Sequence, residues 1–281
     1  MSATSAKKQL RLRRADRCAV CGRDLAVGER ASWDPEARTV TCLACALPTA
    51  PAPAVAVPDV AVLEGTPGAS AQREFQRRHD RREQHAREKL GRLGVVVARV
   101  IDEPQSTTSW QQGARGEQLS ATRLAKHLDG HPVKLLHDRR IPGGGQANID
   151  HLAVGPGGVT VIDSKTHKGQ IRVERVGGLF SDRHQVLRIA GRDQTKLIDG
   201  VERQLHAVAA VLARAGIETD LRGALCFPRP DGLPIFRQLT VREIVIDGPR
   251  QIAKLVCRDG ALDHEQIDRI WRHLATALPP A

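Results

Sequence analysis

Two aspartates and a lysine are spaced so that a β-hairpin could bring them onto one face. Asp150 lies near the start of one apolar segment, and Asp163 and Lys165 lie at the end of the next. The stretch Gly155-Pro156-Gly157-Gly158 between the segments predicts a turn. Two acids beside a lysine suit a site for metal and water, in which Lys165 could orient or deprotonate the water or neutralise charge on a phosphate.

The turn sets the register of this predicted hairpin. If Val154 faces Val159, antiparallel pairing places Asp150 opposite Asp163, and the two-residue period puts both on one face. Their Cβ atoms would lie roughly 5 Å apart, where like charges destabilise a sheet. Mg²⁺ would remove this repulsion, because it takes oxygen ligands and is commonly held by one or two carboxylates. A register slip of one residue would instead leave two unrelated acids on a solvated strand edge.

Four motifs that could extend this site follow one another in the chain. They are Gly113-Ala114-Arg115-Gly116-Glu117, Asn148-Ile149-Asp150-His151, Val161-Ile162-Asp163-Ser164-Lys165 with Gly169 after it, and Gln204 in a later helix. Together they resemble the nuclease-related domain (NERD) family, a branch of the PD-(D/E)xK nuclease-like superfamily. The resemblance covers roughly Trp110 to Leu212 and is weaker from there to the end. The chain departs from the superfamily pattern at Ile149, where the superfamily name has proline.

The resemblance implies both a fold and an activity. The fold is a restriction-endonuclease-like α/β core, a mixed sheet flanked by helices. Its site would have Glu117, Asp150 and Asp163 holding Mg²⁺ or Mn²⁺, with Lys165 activating water and Gln204 completing the set. The expected function is metal-dependent hydrolysis of phosphodiester bonds, with DNA as the expected substrate.

The segments around Glu117 and Gln204 agree with this expectation but leave alternatives open. Apolar positions after Glu117 recur at helical spacing, and Glu117 lies one turn before Ala121 on that stripe. An acid early in a helix is also favoured by the helix dipole alone. Gln204 lies in an amphipathic pattern from Leu197 to Leu212, where a glutamine at the margin of the core would be equally ordinary.

Two other functions remain open from the sequence. One is a nucleic-acid-binding or regulatory module that keeps the nuclease-like fold without catalysis, and the other is a structural scaffold. A pure binder of nucleic acid has no need of paired acids, which repel phosphate, so the acids and Lys165 favour an enzyme.

The charge of the chain favours a polyanionic partner. The 281 residues carry 43 Lys and Arg against 32 Asp and Glu, a net charge of +11 and a pI near 10.0. Nucleic acid, DNA in particular, is the expected partner. Arg139, Arg140, Lys168 and Arg172 are plausible phosphate contacts, because they lie near the acids in sequence. Aromatic residues make up 2% of the chain and tyrosine is absent, so platforms for stacking bases are nearly excluded.

Four cysteines near the N-terminus form a second motif. Cys18 and Cys21 are followed by Cys42 and Cys45, and this C-x2-C…C-x2-C spacing predicts a tetrahedral zinc site in a zinc-ribbon-like unit. Four thiolates close the coordination of Zn²⁺, which indicates a structural role. Disulfides are the alternative. No signal peptide precedes the cysteines, so the expected compartment is the cytoplasm.

Composition predicts the organisation of the chain. We expect a zinc-ribbon-like knuckle at residues 1–47, an Ala/Pro-rich linker at 48–71, a charged helix at 72–94 and the nuclease-related α/β domain at 95–281, with its motif core at 110–212. The charged helix could contact nucleic acid, but a solvated spacer is the favoured interpretation. Within the domain, the runs 221–227 and 239–246 predict core strands, and Asp263 to Gln266 predicts a helix capping box.

Overall fold

The computed structural model of the chain describes residues 8–35, 38–46, 62–100, 105–142, 147–178, 183–234 and 237–281. Most of the predicted linker, residues 48–61, lies outside the described residues, as does the triple-glycine stretch at 143–145.

The N-terminal unit is built from short strands around the cysteines. Its elements are β1 (Lys8–Arg11), β2 (Asp16–Arg17), β3 (Asp24–Leu25), β4 (Arg30–Asp34), β5 (Thr39–Cys42) and α1 (Leu43–Ala46). Strands β1, β4 and β5 form an antiparallel sheet, and β2 pairs with β3. The apolar side chains of Leu12, Leu25, Ala31 and Val40 pack with Cys18 and Cys42 into a small core. The N-terminal unit therefore consists of short strands around the cysteines, as the sequence predicts.

The remainder of the chain alternates helices and strands. The helices are α2 (Ala69–Val100), α3 (Gln105–Leu128), α4 (Lys196–Arg214), α5 (Pro249–Val256) and α6 (His264–Ala277). The strands are β6 (Lys134–Arg140), β7 (Asn148–Gly155), β8 (Gly158–Ser164), β9 (Ile171–Val176), β10 (His184–Ile189), β11 (Arg192–Asp193), β12 (Leu221–Cys226), β13 (Leu239–Val241) and β14 (Ile244–Asp247).

Six of these strands form one mixed sheet in the order β13-β14-β12-β8-β7-β6. Strand β8 is antiparallel to β7 but parallel to β12, which in turn is parallel to β14. Strands β9, β10 and β11 form a separate antiparallel sheet. The predicted α/β class with a mixed sheet is confirmed.

Helices cover both faces of the large sheet. On one face, Leu124 and Leu128 of α3 and Ile252 of α5 pack against Ala153 and Ile162. On the other face, side chains of α4 and α6 pack against the opposite set of hairpin residues, which includes Leu152, Val154, Val159 and Val161. This alternation along β7 and β8 is the two-residue period of a strand buried on both sides. Both faces of the hairpin are therefore covered, and its polar residues must find partners inside the protein.

Two predictions about the C-terminal part have different outcomes. The capping box is confirmed, since the Asp263 side chain accepts from the Gln266 backbone and the Gln266 side chain accepts from the Asp263 backbone. The run 239–246 is not one strand, because Arg242 and Glu243 adopt φ of 47° and 67° and reverse the chain between β13 and β14. No glycine or asparagine marks this turn. Ion pairs from Arg242 to Asp199 and Glu202 of α4 accompany it.

The charged helix α2 is attached to the domain at its start. Ser70 donates two hydrogen bonds, from its backbone N and its Oγ, to the buried carboxylate of Asp138. Residues before the helix also lie along β6, where the backbone N of His137 donates to the carbonyl of Glu64. No helix within the described ranges is long and apolar enough to cross a membrane.

Candidate active site

The β7–β8 hairpin has the register that the sequence predicts. Val154 pairs with Val159, and the ladder continues to His151 opposite Ile162, so that Asp150 and Asp163 come next across the two strands. The turn is shorter than the four residues expected, because Gly155 and Gly158 also pair and leave only Pro156 and Gly157 in the loop. The two acids therefore lie together at the end of the hairpin away from its turn.

Lys165 follows β8 directly and bridges the two acids. Its Nζ lies 2.6 Å from Oδ2 of Asp163 and 3.8 Å from Oδ2 of Asp150. Its backbone N donates to the carbonyl of Cys226, which extends the parallel pairing of β8 with β12. Burial alone would lower the pKa of Lys165, but the two carboxylates raise it above its usual value. The side chain is therefore a fixed cation.

Asp150 is buried and its charge is only partly balanced. Its Oδ2 accepts a hydrogen bond from the backbone N of Ser164 at 2.8 Å. Burial raises the pKa of Asp150 to about 7, although Lys165 opposes the shift. A carboxyl with such a pKa gains or loses its proton near neutral pH.

Glu117 reaches the same cluster from α3. Its side chain is buried, and Oε2 has no hydrogen-bond partner in the part of the chain that the structure describes. Burial, followed by the charge of Asp150, raises the pKa of Glu117 to about 9. The alternative that Glu117 is an acid early in its helix is wrong, because α3 begins at Gln105 and Glu117 lies in the middle of it.

Gln204 approaches from α4, on the face of the sheet that α6 also covers. Its Nε2 donates to Oδ1 of Asp163 at 3.0 Å and lies 3.4 Å from the carbonyl of Asn148. Its Oε1 is buried without a hydrogen-bond partner among the described residues. The structure thus gathers Glu117, Asp150, Asp163, Lys165 and Gln204, all five residues predicted from the sequence.

A buried histidine pair beside the acids carried no role in the sequence analysis. Nδ1 of His137 and Nδ1 of His151 are 2.9 Å apart, and Nε2 of His151 lies 3.1 Å from Oγ of Ser164. Burial lowers the pKa of both imidazoles, that of His137 to about 4, so both are neutral at physiological pH. They hold Ser164, whose backbone in turn binds Asp150. Adjacency of His151 and Ser164 to the two acids is the only sequence signal for this network.

A further acid, Asp138, lies near the cluster but is fully engaged. It is buried on β6 and accepts hydrogen bonds at 2.6 Å from Ser70 Oγ and from Asn148 Nδ2. The backbone N of Ser70 binds its other oxygen, also at 2.6 Å. Its φ of 48° interrupts the regular strand, and no sequence motif marks it. Its donors give Asp138 the role of anchoring α2 next to the site.

One basic residue near the site in sequence does not face solvent. Arg139 was a plausible phosphate contact together with Arg140, Lys168 and Arg172, but its side chain is fully buried. Its guanidinium donates to the carbonyls of Leu63, Ala275 and Leu278. The expectation for Arg139 is wrong, because these carbonyls use its donors inside the core. Arg140, Lys168 and Arg172 are exposed.

The four N-terminal cysteines converge as their spacing predicts. Their Sγ atoms all lie within 4.8 Å of one another, and none forms a disulfide. Burial raises the pKa of the Cys18 thiol, but hydrogen bonds from the backbone at Cys21 and Cys42 outweigh it and bring the value to about 6. Burial raises the pKa of Cys45 to about 12. Four sulfur atoms at this separation could hold one metal ion.

The fold and the cluster of acids define a nuclease-like α/β domain. Residues 112–228 match the family model of the nuclease-related domain. The matched segment contains all five residues gathered at the site, and over this segment the chain is similar to the nuclease-related domain. This confirms the resemblance seen in the sequence and indicates a nuclease-related function at the level of the family. No curated protein and no solved structure matches the chain.

Proposed function

We propose that the protein is a metal-dependent nuclease that hydrolyses phosphodiester bonds of DNA. The observation that carries the proposal is the convergence of Glu117, Asp150, Asp163 and Lys165 at one end of the β7–β8 hairpin. A domain with only a structural role would gain nothing from three buried acids close together, since burial raises the pKa of Glu117 and Asp150 and their ionised forms oppose folding. The nuclease-related family of the domain supports the same function.

The chemistry of the donors fits a hard cation. Glu117, Asp150 and Asp163 would hold Mg²⁺ or Mn²⁺, both of which prefer oxygen ligands. The unpartnered Oε2 of Glu117 supports this fit, because a buried carboxylate oxygen without a donor is costly unless a cation or water binds it. A bound ion would act as a Lewis acid that stabilises charge developing on the phosphate.

The other residues of the cluster would position and balance these groups. Lys165, kept cationic by Asp150 and Asp163, can donate to the attacking water or neutralise charge on a phosphate oxygen. Gln204 fixes the orientation of Asp163 through its amide. The neutral His151 and Ser164 hold the backbone N that binds Asp150.

The N-terminal cysteines would hold a structural Zn²⁺. The separation of their sulfur atoms and the absence of a disulfide among them support this assignment. With four thiolate ligands no coordination position is left for substrate, so the ion would stabilise the fold. A unit of this size has too little core to fold without such support.

The organisation of the chain completes the proposal. The knuckle at 1–47, the linker at 48–71 and the charged helix at 72–94 would precede the α/β domain at 95–281. Nucleic acid is the proposed partner, supported by the net charge of +11. The proposed location is the cytoplasm, a reducing compartment in which four thiolates can hold zinc.

Incubation with circular and linear DNA tests the activity. Wild-type protein should cut DNA with Mg²⁺ or Mn²⁺ and not without added divalent metal. Asp163→Ala and Lys165→Ala should lose cleavage, whereas Asp259→Ala and Lys254→Ala should keep it, because these exposed residues lie away from the cluster. Equal cutting by wild type and both site variants would contradict the proposed site. Metal-independent binding with no cleavage would favour the non-catalytic binding module.

A further inference from the structure

A basic cleft opens beside Lys165, and the proposed chemistry does not use it. It encloses about 410 Å³ between three segments of the chain. These are the middle of α3 at Arg115 and Gly116, the loop from Lys165 to Gly169, and the stretch from Pro228 to Gly232 after β12. We call it the basic cleft and define it by Arg115, Lys168 and Arg229, the three cations that line it together with Lys165.

The walls of the basic cleft approach one another closely at two glycines, which have no side chain. A Cβ atom on Gly116 would lie 2.2 Å from the side-chain Cγ2 of Thr166, so any other residue there would displace the Thr166 side chain. A Cβ atom on Gly232 would lie 2.0 Å from the carbonyl oxygen of Gly169. Contacts this tight fix the relative position of the three segments. The cleft is therefore part of the packed fold.

The three cations of the basic cleft have no partner among the residues that the structure describes. The side chains of Arg115, Lys168 and Arg229 are exposed, and they make no hydrogen bond or ion pair with any residue that the structure describes. Asp231, the acid in the lining, is not bonded to them. By contrast, Arg242 and Arg188 bind acids on neighbouring elements. Unpaired cations around a concave surface repel one another and attract a polyanion.

The geometry points to the sugar–phosphate backbone of DNA as the occupant. We propose that Arg115, Lys168 and Arg229 bind the phosphates that flank the bond cut at the acid cluster, on the side of Lys165. This inference rests on the proposed function, because the scissile phosphate must lie at Lys165 for the neighbouring phosphates to enter the cleft. The lining contains no phenylalanine, tyrosine or tryptophan, and its one imidazole, that of His167, packs edge-on against Phe227. Binding should therefore depend on charge and be independent of sequence.

Salt-dependent DNA binding by the full-length protein tests the inference. Fluorescence anisotropy is measured with labelled single-stranded and duplex DNA, in buffer without Mg²⁺ or Mn²⁺, so that binding is read without cleavage. The test variant combines Arg115→Ala, Lys168→Ala and Arg229→Ala. The control variant combines Lys254→Ala, Arg258→Ala and Arg269→Ala, which removes one lysine and two arginines from exposed positions outside the cleft.

The test and control variants should differ in DNA affinity and in its dependence on salt. The test variant should weaken binding about tenfold or more. It should also reduce the slope of log K against log salt by about 2 on single-stranded DNA and about 3 on duplex DNA, as expected for three lost phosphate contacts. The control variant should change both quantities much less. A charge-preserving variant, Arg115→Lys with Lys168→Arg and Arg229→Lys, should keep the wild-type slope, and thermal melts of all variants should coincide.

The possible results separate a failure of the proposed phosphate site from a failure of the proposed nuclease activity. If the test and control variants weaken binding equally, or if wild type binds neither form of DNA, the basic cleft is not a phosphate site. The test variant alone could lose binding while wild type fails to hydrolyse DNA with Mg²⁺. Phosphate binding by the basic cleft would then be supported, and the proposed catalysis would be contradicted. Reduced cleavage by the test variant, with stabilisation of the fold by Mg²⁺ unchanged, would support both the phosphate site and the nuclease activity.

Discussion

Gln204 donates a hydrogen bond from Nε2 to Oδ1 of Asp163 over 3.0 Å, and its own Oε1 remains buried without a partner among the described residues. The two residues are 41 positions apart in the sequence and come from a helix and a strand. The bond joins α4 to the acid cluster, so the packing of this helix decides how one carboxylate of the site is oriented.

Gln204→Ala should lower Mg²⁺-dependent DNA cleavage by about 10–100-fold, the usual effect of losing a residue that orients a metal ligand. The fold should be kept, because Ala is a good helix former and the side chain lies at the edge of the core. Initial cleavage rates and thermal melts measure the two effects. Gln251→Ala, at an exposed position of α5, is the control and should cleave at the wild-type rate. If Gln204→Ala cleaves DNA at the wild-type rate, Gln204 has no role in the site.

Mg²⁺ binding should strengthen as the pH rises, because Glu117 and Asp150 must first lose protons. In the metal-free site the pKa of Glu117 is raised to about 9 and that of Asp150 to about 7. A carboxyl with a raised folded pKa stabilises the fold below its unfolded pKa, and this contribution is lost as pH rises through the folded value. Metal-free stability should thus fall from about pH 5 to about pH 9, while stabilisation by Mg²⁺ grows.

Thermal melts with and without Mg²⁺ across this pH window measure both trends. Glu117→Gln keeps the shape of the side chain but cannot ionise, so its metal-free stability should vary less with pH than that of the wild type. A melting-temperature increase from Mg²⁺ that is the same at every pH would contradict the assignment of these carboxyls.

Gly116→Ala should reduce cleavage by forcing α3 away from the loop that carries Lys165. The added Cβ would overlap Cγ2 of Thr166, which is 2.2 Å away in the present packing. Gly113→Ala is the matched control one helical turn earlier, where a Cβ would meet no atom within 4 Å. This control should stabilise the helix by about 0.5–1 kcal/mol and leave cleavage unchanged. If both variants cleave equally well, close approach at Gly116 does not matter for the site.

Arg139→Ala should destabilise the domain by about 3 kcal/mol or more, because it leaves two buried carbonyl groups and one part-buried carbonyl group without their donor. These carbonyls belong to Leu63, Ala275 and Leu278, so the side chain ties the start of the described domain to its last helix. Urea unfolding gives the change in free energy. Arg140→Ala, at the exposed neighbouring position, should change it by no more than about 0.5 kcal/mol. Comparable losses in the two variants would argue against a buried role for Arg139.

Cys42→Ser should abolish zinc binding and unfold the N-terminal unit, since three thiolates do not close the tetrahedral site. The nuclease-related domain should melt as in wild type, because it has its own core. Elemental analysis of purified protein gives the zinc content, expected to be about one ion per wild-type chain. Cys257→Ser is the control and should keep zinc, as Cys257 lies outside the cluster of four sulfur atoms. Zinc retained by Cys42→Ser would point to a different ligand set.

Local sequence patterns predicted those features of the structure that depend on residues close together in the chain. The apolar alternation and the glycine turn predicted the register of β7 and β8, and hence the pairing of Asp150 with Asp163, because a strand has a fixed period of two. The cysteine spacing likewise predicted the convergence of four thiols. The turn at Arg242 escaped prediction, because positive φ at ordinary residues is supported by contacts with α4 that the local sequence does not reveal.

The sequence by itself determined the hairpin register, the family motifs and the cysteine cluster, since all of these follow from spacing along the chain. Only the tertiary structure decided that Glu117 and Gln204 reach the acids, that Arg139 is buried while Arg115 and Arg229 line a cleft, and which carboxyls hold protons near neutral pH. These properties depend on burial and on charges from distant segments. Packing of helices on both faces of the sheet creates that environment, and no local pattern encodes it.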